Sequence, residues 1–114
     1  MDDCIFCKIV EKSIPAKIVF EDDRTIAFED ISPKAPLHVL IISKKHIPTL
    51  FDVSEEDSLL IGRMFQIAKN IAYDKGFFDK GYRVVMNCKS DGGQEVFNIH
   101  MHLLAGRKFE WPPG

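Results

Sequence analysis

The chain has 114 residues, 46% hydrophobic and 28% charged, the composition of a folded domain rather than a disordered segment. At that length residues 1–114 make one domain. Fifteen Lys and Arg against seventeen Asp and Glu leave a formal charge of -2, which excludes a basic nucleic-acid footprint, and no apolar run reaches the ~20 residues of a membrane span.

Met1-Asp2-Asp3 starts the chain without the basic-then-apolar pattern of a secretory signal. Three cysteines, an odd count, make no disulfide framework. A reducing, cytoplasmic setting is expected, with the nucleus also open to it, and neither nucleic acid nor membrane as partner. Residues 4–12 form a short amphipathic stretch carrying Ile5, Phe6, Ile9 and Val10, broken by Ser13 and Pro15. Residues 17–21 and 25–29 flank the turn signal Asp22-Asp23 and read as a hairpin. After the breaker Pro33-Lys34-Ala35-Pro36, residues 38–43 read as a third strand. The clearest helix runs from Ser54, its candidate N-cap, to about residue 73, with Gly76 as its stop. Leu60, Met64, Ile67 and Ile71 form one row at helical spacing, and Ile61, Phe65, Ala68 and Ala72 a second, which predicts a wide apolar face. Strands over 82–87 and 99–105 complete the set. A hairpin start without strict βα alternation predicts α+β architecture around an antiparallel sheet, one face of it free or covered by a partner.

His100 and His102 lie at i and i+2 of a predicted strand, so their imidazoles share one face while Ile99, Met101 and Leu103 enter the core. Asn98 joins that face if the strand extends back so far. The pair reads either as a solvated strand face with incidental histidines or as a reactive pair. Ser90-Asp91-Gly92-Gly93-Gln94-Glu95 precedes it. Paired glycines can turn the backbone tightly and bring N–H groups to an anion, and a plain connecting loop is the other reading. Cys4-Ile5-Phe6-Cys7 has metal-ligand spacing, with His46 as third ligand and Asn98, Cys88 or water as fourth. Two thiols without metal account for the spacing equally well. A redox pair is disfavoured, because the motif lies outside a βα unit.

The stretch Ser90-Asp-Gly-Gly-Gln-Glu-Val-Phe-Asn-Ile-His-Met-His-Leu-Leu-Ala-Gly-Arg resembles the signature of the histidine-triad (HIT) family, His-φ-His-φ-His-φ-φ with φ apolar. Ile14-Pro-Ala-Lys, Phe20-Glu-Asp-Asp, Ala27-Phe-Glu-Asp-Ile-Ser-Pro-Lys-Ala-Pro, Lys44-Lys-His-Ile and Gly81-Tyr-Arg match in the family's order. The ending Trp111-Pro-Pro-Gly resembles the nucleoside-phosphoramidase branch. The resemblance implies a HIT-like α+β fold, with one long and one short helix, whose homodimer joins two five-stranded antiparallel sheets. It implies hydrolysis of the P–N bond of adenosine or guanosine 5′-phosphoramidates through a phosphohistidine. By motif position His100 matches the nucleophile, His102 the last triad histidine and His38 a supporting one. Asp30 and Ile31 match ribose-holding positions, and Phe6, Ile9 and Phe28 the apolar base pocket. Asn87, Gly93, Gln94 and Glu95 match positions near phosphate and leaving group, and the resemblance implies that Trp111 lies close to the partner's active site. No cofactor is required, and a structural zinc on Cys4, Cys7 and His46 is open. Two positions depart from the pattern. Asn98 replaces the first triad histidine and is a poor zinc ligand, and Glu95 replaces a serine beside the phosphate. The alternatives are a nucleotide-binding or scaffolding HIT protein with little turnover, another HIT-type nucleotide hydrolase or transferase, and a zinc-structural module.

Overall fold

The short helix α1 (Ile5–Val10) is capped by Cys4, whose Sγ accepts the Cys7 N–H at 3.4 Å. A computed structural model describes residues 4–114, so the reading of Met1-Asp2-Asp3 falls outside the described residues. Strands β1 (Ile18–Glu21) and β2 (Thr25–Glu29) form the expected hairpin. Asp22 closes its turn, Oδ1 accepting the N–H of Arg24 and Thr25 at 3.0 and 2.8 Å and the Thr25 hydroxyl at 2.6 Å. Strands β3 (Leu37–Ser43), β4 (Arg83–Val85) and β5 (His100–Ala105) complete a five-stranded, wholly antiparallel sheet ordered β1-β2-β3-β5-β4. The architecture is the expected α+β.

Helix α2 (Ser58–Asp74) starts later than the N-cap at Ser54 predicts. Ser54 caps a 3-10 turn instead, Glu55–Asp57, where Asp57 Oδ2 takes both the N–H and the hydroxyl of Ser54 at 3.0 Å. Thr49 and Asp52 repeat this reciprocal cap on the turn Leu50–Asp52. Leu60, Met64, Ile67 and Ile71 of α2 pack with Val39, Ile41, Met101 and Leu103 of the sheet. Each such side chain contributes roughly 1.5–3 kcal/mol through burial. The second helical row divides: Ala68 and Ala72 are buried, Ile61 packs at the margin, and Phe65 is 47% exposed. The buried stripe is thus narrower than the sequence period implies.

The other face of the sheet is covered within the chain, by α1, rather than free. Phe6 and Ile9 meet Ile26, Phe28, Leu40 and Ile42 in a second core. Central strand β3 is consequently buried at all seven positions. One expected loop is also structured: Lys89–Gly92 forms a further short helix, α3, which the sequence reading of one long and one short helix omitted. Gly93 ends it in the left-handed region at φ 81°, which a Cβ would disfavour.

A histidine row beside a thiol cluster

Strand β5 places His100 and His102 side by side on the α1 face, their ring centroids 5.1 Å apart. Strand β3 brings His38 to the same row, its Nε2 lying 2.9 Å from Nδ1 of His102. Asp30 follows β2 and sets Oδ2 3.5 Å from the same His38 nitrogen, while its backbone N–H donates to the His38 carbonyl at 2.9 Å. Helix α1 contributes Phe6, whose ring meets His100 edge-on at 4.9 Å and Phe28 at 5.7 Å. Phe6, Ile9 and Phe28 therefore form an apolar wall beside the row.

His100 Nδ1 lies 2.8 Å from the backbone oxygen of Asn98. A carbonyl only accepts, so the ring proton sits on Nδ1 and Nε2 keeps its lone pair. Burial lowers the proton affinity of all three rings. It outweighs the Asn98 hydrogen bond at His100 and the Asp30 charge at His38, and with the charges of the neighbouring rings it takes His102 down to about 4. At neutral pH the row is uncharged, and His100 offers a neutral, nucleophilic nitrogen.

Other predicted residues lie at the margins. Ile31 is 99% exposed, Trp111 is 81% exposed and in neither core, and Glu95 is exposed. Asn87 abuts the α3 turn at Gly92. Gln94 is buried, its amide nitrogen donating to the Pro48 and Val96 carbonyls at 2.7 and 3.1 Å and its oxygen accepting the Lys89 N–H at 2.9 Å. The N–H groups of Gly93 and Gln94 bond to the Ser90 and Lys89 carbonyls at 3.0 Å. The expected nest of free donors is thus corrected: these two N–H groups close a helical turn.

Among the described residues two groups of ligand-type side chains bring their atoms within 4.8 Å of one another: Cys4, Cys7 and His46, and Asp30, His38 and His102. In the first, Cys7 Sγ lies 3.1 Å from His46 Nδ1, and burial, with the Cys4 side chain as hydrogen-bond partner, pushes the Cys7 thiol up to about 11. Asn98, 1% exposed, does not complete this set: its Oδ1 accepts the Ile47 N–H at 2.9 Å and its Nδ2 donates to the Ser43 carbonyl at 3.1 Å. Cys4, Cys7 and His46 fit a zinc site with one position open. Sequence reasoning missed two contacts that orient the row, both from backbone: the Asn98 carbonyl and the Lys34 N–H, which donates to His38 Nδ1 at 3.0 Å. The only trace of the latter in the sequence is the Pro33–Pro36 breaker. Two concavities of about 320 Å³ each lie on the opposite side, around α2.

Fold and site together define a class: small α+β proteins carrying a histidine row on the central strand pair of one antiparallel sheet. Residues 11–109 match the HIT domain family model. The purine nucleoside phosphoramidase of Escherichia coli K12 is 51% identical over 93% of this chain and 89% of its own length. An uncharacterised HIT-like protein of Synechocystis is 48% identical over 99% and 98%. Among solved structures, a HIT family hydrolase from Legionella pneumophila superposes with a TM-score of 0.96 at 53% identity, covering 98% of this chain and all of its own. A histidine triad protein from Clostridium difficile gives 0.93 at 45%, covering 96% of each. The chain belongs to the HIT family.

Proposed function

We propose that the protein is a purine nucleoside phosphoramidase, hydrolysing the P–N bond of adenosine or guanosine 5′-phosphoramidates to the nucleoside monophosphate. The observation that carries this reading is the lone pair that the Asn98 carbonyl leaves on His100 Nε2 in a neutral ring. The likeness to the E. coli phosphoramidase supplies the substrate class. His100 Nε2 attacks the phosphorus in line, an N–P bond forms, and the P–N bond to the amine breaks as the amine takes a proton from solvent, the proton that the later attack of water gives back. Water then cleaves the phosphohistidine and restores His100. His102 steadies charge on the phosphoryl oxygens, supported from behind by His38. Asp30 and Ile31 hold the ribose, and Phe6, Ile9 and Phe28 receive the base. Asn87, Gly93, Gln94 and Glu95 border the phosphate and leaving group, Glu95 with its carboxylate in solvent and Gln94 through the backbone it fixes. An imidazole nucleophile needs no metal or other cofactor.

Cys4, Cys7 and His46 would hold a structural zinc, tying α1 to the segment after β3, with water at the open position. A homodimer is supported by the short edge strand β4 and by the apolar groove of Tyr73, Phe77, Phe78 and Tyr82 beside it, surface that a second copy covers. Light scattering that reports a monomer at micromolar concentration would refute the dimer. No helix among the described residues is long and apolar enough to cross a membrane. The free thiols of Cys4, Cys7 and Cys88 favour a reducing cytoplasm. Mass spectrometry after mixing with an adenosine phosphoramidate tests the enzyme reading: an AMP adduct on His100 is expected, and turnover without any adduct would overturn the covalent route.

A further inference from the structure

His100 and His102 are the same side chain, two residues apart, yet they cannot do the same thing. We propose that the backbone N–H of Lys34 is a positioning group that sets the direction of the protons along the row, so that His102 meets a ligand with an N–H where His100 meets it with a lone pair.

The argument runs from fixed donors to movable protons. The Lys34 N–H can only donate, and it lies 3.0 Å from His38 Nδ1. That nitrogen therefore carries a lone pair, and the single proton of the neutral ring is on Nε2. His38 Nε2 lies 2.9 Å from His102 Nδ1 and donates to it across β3 and β5. His102 Nδ1 is then the acceptor, so its own proton sits on Nε2, the nitrogen free to face a ligand. At His100 the terminating group is the Asn98 carbonyl, which accepts, so the order is reversed. An amide at one end and a carbonyl at the other thus give neighbouring imidazoles opposite polarity.

Lys34 is well placed to hold this role. Its carbonyl accepts from Arg107 Nε at 3.0 Å and its Nζ donates to the Ser32 carbonyl at 2.8 Å, so the residue is held through both its backbone and its side chain. Asp30 Oδ2, 3.5 Å from His38 Nε2, makes no hydrogen bond to it, and its negative charge favours a proton on that same nitrogen. The polarity also rules on the Asp30, His38 and His102 group. A metal on His38 Nε2 would force the ring proton onto Nδ1, head-on against the Lys34 N–H. That group is therefore a hydrogen-bonded row and not a metal centre.

The role for turnover rests on the phosphoramidase reading; the proton order does not. Nitrogen-15 NMR of the metal-free, ligand-free protein at neutral pH reads the order directly. Expected are His38 and His102 protonated at Nε2, His100 at Nδ1, and a scalar coupling across the hydrogen bond between the Lys34 amide nitrogen and His38 Nδ1. Protonation of His38 or His102 at Nδ1, or absence of that coupling, overturns the proposal. Lys34→Pro removes the N–H. In that variant a second tautomer of His38 should appear, and kcat should fall about fivefold, the factor one neutral hydrogen bond is worth, with KM held within about twofold. A folded variant that keeps both the tautomers and kcat overturns the role of Lys34. An inactive parent protein with the expected couplings would count against the phosphoramidase reading alone.

Discussion

Two clusters in this molecule look alike by distance and differ in what they can hold. Cys4, Cys7 and His46 and the group Asp30, His38 and His102 both bring three ligand-type atoms within 4.8 Å. In the second, ring nitrogens are spent on one another and on the Lys34 amide, and the cluster becomes a device for orienting protons. In the first, Cys7 Sγ and His46 Nδ1 lie 3.1 Å apart, a thiol contact whose proton leaves when a metal binds, and the residue that would complete the set has turned away: Asn98 gives its side chain to Ile47 and Ser43. Proximity nominates a site, and the positions of the protons decide its use.

The comparison breaks first at His100. His100→Ala should lower turnover at least ~10³-fold while AMP binding, read by calorimetry, survives, because the apolar wall and Asp30 are untouched. Comparable turnover would take the chemistry out of the histidine row altogether. Asn98 separates the two clusters, and its next expected effect is on stability. Asn98→Ala leaves a buried N–H and a buried carbonyl unpaired and should cost about 2–5 kcal/mol in urea unfolding. A loss below ~1 kcal/mol would mean that the clamp on Ile47 and Ser43 is incidental. Asn98→His should tighten zinc about tenfold or more if the new imidazole turns from Ile47 and Ser43 toward Cys4 and Cys7, read by competition with a chelator; unchanged affinity would mean that position 98 serves only the backbone around His100.

The thiol cluster predicts a smaller effect. Protein purified without added metal should carry less than one zinc per chain, and chelation should leave hydrolysis unchanged; activity lost and restored by zinc would merge two clusters separated here. The mildest effect is pH. All three ring pKa values are lowered on folding, His102 to about 4, so the unfolded chain takes up protons first. Their contribution is complete above about pH 6.5 and drains as the pH falls toward 4. Urea midpoints at pH 7.5, 6 and 5 should decline in that order, and a flat series would contradict burial of the row.

The hairpin was legible because Asp22 acts locally, on residues two and three positions ahead. The histidine pair was legible because strand alternation needs no tertiary knowledge, and the thiol pair because its spacing is written in the chain. The start of α2 misled because Ser54 is a true cap, but of a 3-10 turn. Gly92-Gly93 looked like an anion loop, since nothing local distinguishes a free N–H from one that closes a helix. Phe65 fits the helical period yet faces out, because α2 has only one sheet to meet. The Lys34 contact was invisible for a simpler reason: every residue but proline has an N–H, and only the folded chain says which one meets a histidine.

The pairing of β3 with β5, Leu37 against Ala105 and Ile42 against His100, joins distant stretches of chain in the middle of the sheet. Such closure comes late and at a large entropic cost, so folding should be slower than in a helical protein of this size. The histidine row has no precursor in the hairpin, in α1 or in α2, because His38 and His102 become neighbours only when that pairing closes. A partly folded chain is therefore catalytically silent rather than poorly selective. Amide exchange at Leu40 and His102 should track global unfolding while α1 exchanges sooner, so that the last contact made in folding is the last surrendered.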